Sequence, residues 1–284
     1  MTKKTLFFSI IIILFSIATF ASIDEIVIFN QNFQWITPDG IKHASEYILK
    51  NVKSARNVKV LNKLEIEEFV MRTHQDNTTD AIILFGYLPE TLYEPDNIQK
   101  DNSLIEKFIR GGNIIINTGD YIFYVTLGGG KNGANGLKNI TNSDFDCWTH
   151  PYNCIYEPTS AGKKYIPSLP PQFTGKRPIK RDQVETDNYW EIEIIFGVDT
   201  DPRSPVDQHL DPVVIRNTEH GGRFVIVRQG LPFANDMGPA LDRGPVISEI
   251  INNYFGSVVS KATQVGLDEK LATIWANIKA VQGQ

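Results

Sequence analysis

The stretch from Asp80 to Val125, DAIILFGYLPETLYEPDNIQKDNSLIEKFIRGGNIIINTGDYIFYV, decides the fold. It contains an apolar strand, a helix that ends at two glycines, and a second apolar strand that runs into a Thr-Gly-Asp turn. Two such strands joined by a helix form a parallel pair with a right-handed crossover. Ligands of open α/β sheets gather at the carboxyl ends of the strands, so the turns after both strands should face one crevice.

The residues before this stretch continue the same alternation of strands and helices. Thr37-Pro38-Asp39 marks the start of a helix, and Gly111 is expected to take the left-handed position after the third helix. The pattern predicts an α/β fold with a doubly wound, mostly parallel sheet covered on both faces. Its four predicted parallel strands are 26–30, 58–61, 81–85 and 113–117.

The pattern breaks after Val125. Residues 126–188 show little periodicity and are predicted to form a long irregular insertion. The insertion opens with GGGKNGANG, which we interpret as a mobile loop because Asn132 stands where a phosphate-binding loop needs Ser or Thr. Regularity returns with a strand at 189–196, in which Trp190, Ile192 and Ile194 alternate with acidic residues, and with a closing helix at 245–255.

The first 22 residues predict export. Residues 1–22 combine Lys3 and Lys4 with an apolar run and small residues, as in a secretory signal peptide; the alternative is an uncleaved membrane anchor. Residues 23–256 form the predicted α/β domain, and 257–284 a linker and a helix. We expect a secreted, periplasmic or cell-surface protein with no membrane span after cleavage. The formal net charge of −5, without a basic run, excludes nucleic acid as an expected partner.

Two blocks of sequence resemble a known family. Phe108–Asp120 contains a helix end, Gly-Gly and an apolar strand, and Gly221–Gly230 contains Gly-Gly-Arg and an apolar strand before the helix Pro245–Phe255. This order resembles the class I glutamine amidotransferase-like proteins, in particular their trehalose-utilisation-type (ThuA-like) branch. The resemblance implies a flavodoxin-like sheet, a nucleophile elbow after the fourth strand and a later catalytic His.

The chain departs from that family at both catalytic positions. The elbow reads Asn117-Thr118-Gly119-Asp120-Tyr121 without Cys, and Gln229-Gly230-Leu231-Pro232-Phe233 stands near the expected His. Without a thiolate and an imidazole to activate it, the thioester route of glutamine hydrolysis is not available. The sequence therefore favours a non-catalytic relative.

Candidate ligand-binding residues follow from the predicted crevice. Asp120 is also the candidate catalytic carboxylate; the alternative is an Asx turn that caps the next helix. The predicted ligand-binding residues are Gly86, Tyr87, Asn117, Gly119, Asp120 and Tyr121.

Two further groups of residues suggest sites outside the crevice. In an exported chain, Cys147 and Cys154 are expected to form a disulfide; a metal site with His150 is the alternative. The loop around these cysteines carries aromatic residues that either pack together or form a platform for sugar rings. They are Trp148, Tyr152, Tyr156 and Tyr165.

A second candidate is an acidic segment with His209 in its middle. Carboxylates at alternating loop positions suit Ca²⁺, the one cofactor that the sequence suggests; a solvated acidic loop is the alternative. The carboxylates in question are Asp199, Asp201, Asp207 and Asp211.

These patterns predict an exported, non-catalytic protein that binds a small molecule, a glycan or a protein partner. The rival hypothesis is a glycan-directed hydrolase in which Asp120 works with a second carboxylate, since glycoside hydrolysis needs two carboxyl groups and no nucleophile elbow.

Overall fold

A computed structural model describes residues 23–34, 36–119, 122–147, 154–175, 177–203, 208–227 and 243–258. The predicted signal peptide and most of the C-terminal segment lie outside these ranges. The strands of the described part are β1 (Ile23–Phe29), β2 (Ala55–Val60), β3 (Ala81–Phe85), β4 (Ile114–Thr118), β5 (Cys154–Pro158), β6 (Phe173–Gly175), β7 (Ile179–Lys180), β8 (Trp190–Ile195), β9 (Gly197–Asp199), β10 (His209–Leu210), β11 (Val213–Asn217) and β12 (Arg223–Val227). Its α-helices are α1 (Pro38–Asn51), α2 (Lys63–Thr73), α3 (Leu104–Arg110), α4 (Asn135–Thr141), α5 (Ser160–Tyr165), α6 (Arg181–Glu185) and α7 (Arg243–Glu249).

The main sheet has seven strands in the order β2-β1-β3-β4-β12-β11-β8. Its first five strands are parallel, and β11 and β8 join antiparallel at one edge. The four strands predicted to be parallel are therefore confirmed, within a mixed α/β fold.

Hydrophobic side chains cover both faces of this sheet. Val27 and Phe29 of β1 point into a first cluster, which α2, α3 and α4 cover. Ile26 and Ile28 point into a second cluster, which α1 and α7 cover. Because neighbouring side chains of a strand point to opposite faces, this division explains why the strands read as continuous apolar runs.

Local capping residues set the helix starts. The Thr37 side chain accepts a hydrogen bond from the Gly40 N–H, with Pro38 in the first turn of α1, as the sequence predicts. Ser103 and Glu106 form a capping box at α3. The closing helix continues from α7 into a π-helical turn at Ile250–Phe255.

The prediction for Gly111 is wrong. Gly111 has a φ of −72°, and Gly112, with a φ of +83°, takes the left-handed position. Gly111 is needed for a different reason: a Cβ atom there would lie 2.0 Å from the carbonyl oxygen of His74. The end of α3 thus packs directly against the backbone that follows α2.

The predicted irregular insertion is also wrong. Residues 126–188 contain α4, β5, α5, β6, β7 and α6, and their strands join β9 and β10 in a second, antiparallel sheet with the order β6-β5-β9-β10-β7. Strands of two to five residues are too short to show a periodicity, which explains the error. The glycine-rich loop is also ordered by reciprocal backbone hydrogen bonds between Thr126 and Gly129, at 3.0 and 3.1 Å.

The strand predicted at 189–196 forms, but its side chains do not keep one alternation. The pairing of β8 with β11 shifts register between Val214 and Ile215, and Glu193 of β8 is the extra residue at this bulge. As a result, Ile192 packs against the first cluster and Ile194 against the second. A bulge of this kind is invisible in the sequence pattern.

Asp80 connects the amino ends of the central strands. Its carboxylate accepts hydrogen bonds from the Glu25 N–H (2.8 Å) and the Thr78 hydroxyl (3.0 Å), and its own N–H donates to the Asn113 side chain (2.8 Å). Asp80 is fully buried, and this burial raises its pKa to about 6 from an ordinary value of 3.8.

We predict that Gly111→Ala destabilises the protein by about 3 kcal/mol, because the new methyl group meets backbone that cannot move aside. Gly129→Ala is the matched control, since no atom lies within 4 Å of a Cβ at that position. Its stability should stay within ~0.5 kcal/mol of the wild type in urea denaturation. Equal stability of both variants would contradict the packing at Gly111.

We predict that Asp80→Asn stabilises the protein at pH 8 by about 1–2 kcal/mol, after allowance for solvent screening, and has little effect below pH ~4. The pKa of Asp80 in the folded protein lies above its value in the unfolded chain. The contribution of the wild-type carboxyl to folding stability is therefore complete at low pH and is lost as the pH rises through about 6. Asn can keep the bond from Glu25 without carrying the buried charge. Urea denaturation from pH 4 to 8 measures the difference, with the exposed Asp144→Asn as the control; a constant difference would contradict the prediction.

Candidate functional site

The loops after β1, β3 and β4 meet at the carboxyl edge of the main sheet. Gly86 and Gly119 have φ values of +70° and +101°. A Cβ atom at Gly119 would lie 3.2 Å from the Gln34 oxygen and 3.3 Å from the Gly86 nitrogen. The Gln34 N–H also donates to the Phe85 oxygen at 3.0 Å. The two glycines therefore let three backbone segments pack together, which accounts for them without a ligand.

Polar side chains lie just below these loops, in β4. Asn117 is 1% exposed, and its side-chain nitrogen makes no hydrogen bond to any described residue. The Thr118 hydroxyl accepts a hydrogen bond from Nε of the buried Arg243 at 2.8 Å. Arg243 is not among the residues predicted from the sequence, in which its position at the start of the closing helix is its one distinguishing feature. Asp120 and Tyr121 lie outside the described residues.

Tyr87, another predicted ligand-binding residue, has a structural role. Its ring stacks on Phe29, with the centroids 6.1 Å apart. Its hydroxyl donates to Glu90 (3.1 Å) and accepts from the Leu127 N–H (2.9 Å). Tyr87 thus ties the loop after β3 to the loop after β4.

The acidic segment is not a solvated loop. Asp199, Asp201 and Asp211 are at most 2% exposed, and Asp207 lies outside the described residues. Asp199 accepts hydrogen bonds from the Asp201 N–H (2.8 Å) and from the His209 ring (2.7 Å), while Asp201 binds the guanidinium of Arg203. For these three buried carboxylates the solvated alternative is therefore wrong, and the oxygens of Asp199 and Asp201 are engaged in local contacts.

The predicted disulfide is absent. Cys147 packs in the first cluster and Cys154 in the second, so the two thiols lie in different cores. Cys147 and Cys154 are seven positions apart, which suggested that their thiols lie close together. However, β5 begins at Cys154, and the thiol of this residue points towards His209. Burial, and then the charge of Asp199, raise the pKa of the Cys154 thiol to about 12.

Cys154, Asp199 and His209 form a compact group. Their ligand atoms all lie within 4.8 Å of one another. The arrangement is not a nucleophilic triad, because the thiol (3.9 Å) and the carboxylate (2.7 Å) both approach Nδ1 of the ring. A triad base needs its carboxylate on one ring nitrogen and its nucleophile on the other. With the pKa of its thiol raised, Cys154 is not an activated nucleophile in this arrangement.

Of the aromatic residues around Cys154 that the structure describes, Tyr156 is a core residue and Tyr165 is half-buried against the second cluster. The Tyr156 ring is fully buried and stacks on Phe173 at 5.6 Å, and Tyr165 packs against Phe196 and Tyr254. Trp148 and Tyr152 lie outside the described residues. A sugar platform built on Tyr156 is therefore wrong.

A polar groove of about 740 Å³ lies on the side of the first cluster, between α4, the turn before α3 and the segment joining α6 to β8. The fold class places ligands at the carboxyl edge of the sheet, so this groove is a second and separate candidate. The repeated Asn residues between positions 132 and 142 are the feature of the sequence that indicates a polar groove here. It is lined by Lys100, Asp101, Asn135, Lys138, Asn139, Asn142, Ser143, Asp144, Gln183, Thr186, Asp187, Asn188 and Tyr189.

Several groove residues are held by neighbouring groups. Nδ2 of Asn139 donates to the Tyr93 hydroxyl (3.1 Å), and Lys138 pairs with Asp144 (3.5 Å). Tyr189 is 39% exposed, which is unusual for a large aromatic residue. The groove thus combines oriented amides with one accessible aromatic ring.

No helix within the described residues is long and apolar enough to cross a membrane.

Comparison with known proteins gives a likeness of fold only. No protein-family profile and no curated protein sequence matches the chain. Thirteen chains of solved structures match. One is a protein from Bacteroides uniformis described as ThuA-like, with a TM-score of 0.47 and 10% sequence identity, over 84% of this chain and 93% of that chain.

Proposed function

We propose that this protein is an exported, non-catalytic binding protein that takes up a neutral, hydroxyl-rich ligand such as an oligosaccharide. The observation that carries the proposal is the lining of the polar groove. All thirteen lining residues have a side chain that can form hydrogen bonds, and none is aliphatic.

The chemistry of the lining selects the ligand class. Its two lysines and three aspartates nearly cancel, so the groove favours neither a polyanion nor a polycation. Sites for apolar small molecules are lined mainly by hydrophobic side chains, and this groove is not. Amides, carboxylates and a hydroxyl-bearing ring match a ligand that has many hydroxyl groups and an apolar ring face, as sugars have.

Fold and sequence support a non-catalytic role. We propose that the chain is a divergent amidotransferase-like protein of the ThuA-like branch with a flavodoxin-like sheet. The strand order β2-β1-β3-β4-β12 supports this proposal. Its elbow sequence, Asn117 to Tyr121, lacks the nucleophile that acyl transfer needs.

Export belongs to the same proposal. We infer that the apolar run in residues 1–22 acts as a cleaved signal peptide, which would bring the protein to the periplasm, the cell surface or the medium. The alternative hypothesis is that the groove binds a protein partner instead of an oligosaccharide.

We predict that the purified protein retains an oligosaccharide on a glycan array and that Tyr189→Ala weakens this binding roughly 5–30-fold. Loss of one accessible aromatic anchor costs about 1–2 kcal/mol of binding free energy. Titration calorimetry with the retained oligosaccharide measures the change. Leu49→Ala is the matched control, because Leu49 is 40% exposed but lies on α1, on the opposite face of the sheet.

Three outcomes would count against the proposal. If the array retains no oligosaccharide, the proposed ligand class is wrong. If Tyr189→Ala binds the oligosaccharide as tightly as the wild type, the groove is not the binding site. Turnover of an oligosaccharide that disappears in Asp120→Ala would establish the hydrolase in place of the binding protein.

A further inference from the structure

Three side chains of different chemistry meet in the second sheet, away from the polar groove. The Cys154 thiol, the Asp199 carboxylate and the His209 imidazole lie within 4.8 Å of one another. Their exposed fractions are 0%, 1% and 4%. Each of the three is a common metal-ligating group.

Strand pairing explains why they converge. Tyr156 of β5 pairs directly with Asp199 of β9, and Cys154 lies two residues before Tyr156, on the same face of β5. Leu210 of β10 pairs antiparallel with Val198, which places His209 across from Asp199. Side chains opposite one another on adjacent strands are about 4.5–5.5 Å apart at Cβ, so the three strands present their ligands to one point.

A second observation also indicates a ligand at this point. Tyr156 is fully buried. The Cys154 thiol interacts with its hydroxyl, but no described group lies in good hydrogen-bonding geometry to it. The ionisable groups that act on it are Cys154, Asp211 and Asp199. Buried hydroxyl groups are almost always satisfied by a partner or by an ordered ligand.

We propose that Cys154, Asp199 and His209 bind a Zn²⁺ ion. Thiolate and imidazole are ligands that Zn²⁺ accepts together with a carboxylate, whereas Ca²⁺ needs six to eight oxygen atoms. In a tetrahedral site, bonds of ~2.3 Å to sulfur and ~2.0 Å to nitrogen separate these two atoms by ~3.5 Å. The observed distance between Sγ and Nδ1 is 3.9 Å.

Formation of the site requires small changes. The thiol proton leaves to solvent as the Zn–S bond forms. The proton that Nδ1 donates to Asp199 moves to Nε2, or leaves to solvent where Nε2 is already protonated, and Nδ1 then takes the metal. Nδ1 and the Asp199 oxygen, now 2.7 Å apart, separate by roughly 0.6 Å to become neighbouring tetrahedral ligands. The three side chains leave the fourth tetrahedral position to the Tyr156 hydroxyl or to a water molecule.

The burial of the three ligands indicates that the ion has a structural role. Structural zinc sites are closed, while catalytic ones keep a position open to the substrate. All three proposed ligands are nearly inaccessible, and they come from three adjacent strands. The ion would therefore fasten β5, β9 and β10 together.

The test uses the purified protein, stripped with a chelator and titrated with Zn²⁺ and Co²⁺. We expect one Zn²⁺ per chain, a higher melting temperature with Zn²⁺ but not with Ca²⁺, and a thiolate-to-Co²⁺ absorption band. Cys154→Ser and His209→Gln should lose the stoichiometric Zn²⁺ and the thermal shift. Cys147→Ser is the matched control and should keep both.

The Cys147→Ser control also tests whether Cys154 binds the metal if Cys154→Ser does not fold. The chain has two cysteines, so a thiolate band that persists in Cys147→Ser comes from Cys154. Wild-type protein without a thiolate band, stabilisation by Ca²⁺ alone, or full Zn²⁺ binding by Cys154→Ser would overturn the proposal. A Cys147–Cys154 disulfide in the native protein, detected by mass spectrometry, would overturn it as well.

Discussion

Burial of the central strands on both faces is the constraint on which the rest of the structure depends. Every residue of β3 and β4 is buried, and the polar groups at their amino ends, Asp80 and Asn113, are used to join neighbouring backbones. Such strands offer no accessible side chain. Binding groups must therefore come from the loops at the strand ends or from elements added outside the sheet.

The residues between β4 and β8 are such an addition, and they extend both hydrophobic cores. Ile179 and Leu210 of the second sheet join the first cluster, while Cys154, Tyr156 and Phe173 join the second. The two faces of the second sheet pack against different cores. Polar residues in its strands are therefore buried, although their sequence is typical of an exposed loop. Asp199 and His209 are buried for this reason.

The sequence predicts the parallel core well because the signal there is local. Apolar runs, the Thr37 cap and the glycines after α3 each lie within a few residues of the feature they define. The second sheet escapes prediction because β5 pairs with β9 some forty residues later, through strands with no periodicity of their own. Within the candidate sites, the acidic segment was recognised by residue type alone. The partnership of Asp199 with Cys154 and His209 depends on strand register, which a single sequence does not reveal.

The two proposed sites are connected through β7. His209 pairs with Lys180, and the Arg181 N–H donates to the Gln208 oxygen at 2.8 Å. Arg181 begins α6, whose Gln183 lines the polar groove. A metal ion that fixes β10 would therefore also fix the start of α6 and one wall of the groove. Pre-organisation of this kind strengthens ligand binding without adding a contact, because the ordering cost is met before the ligand arrives.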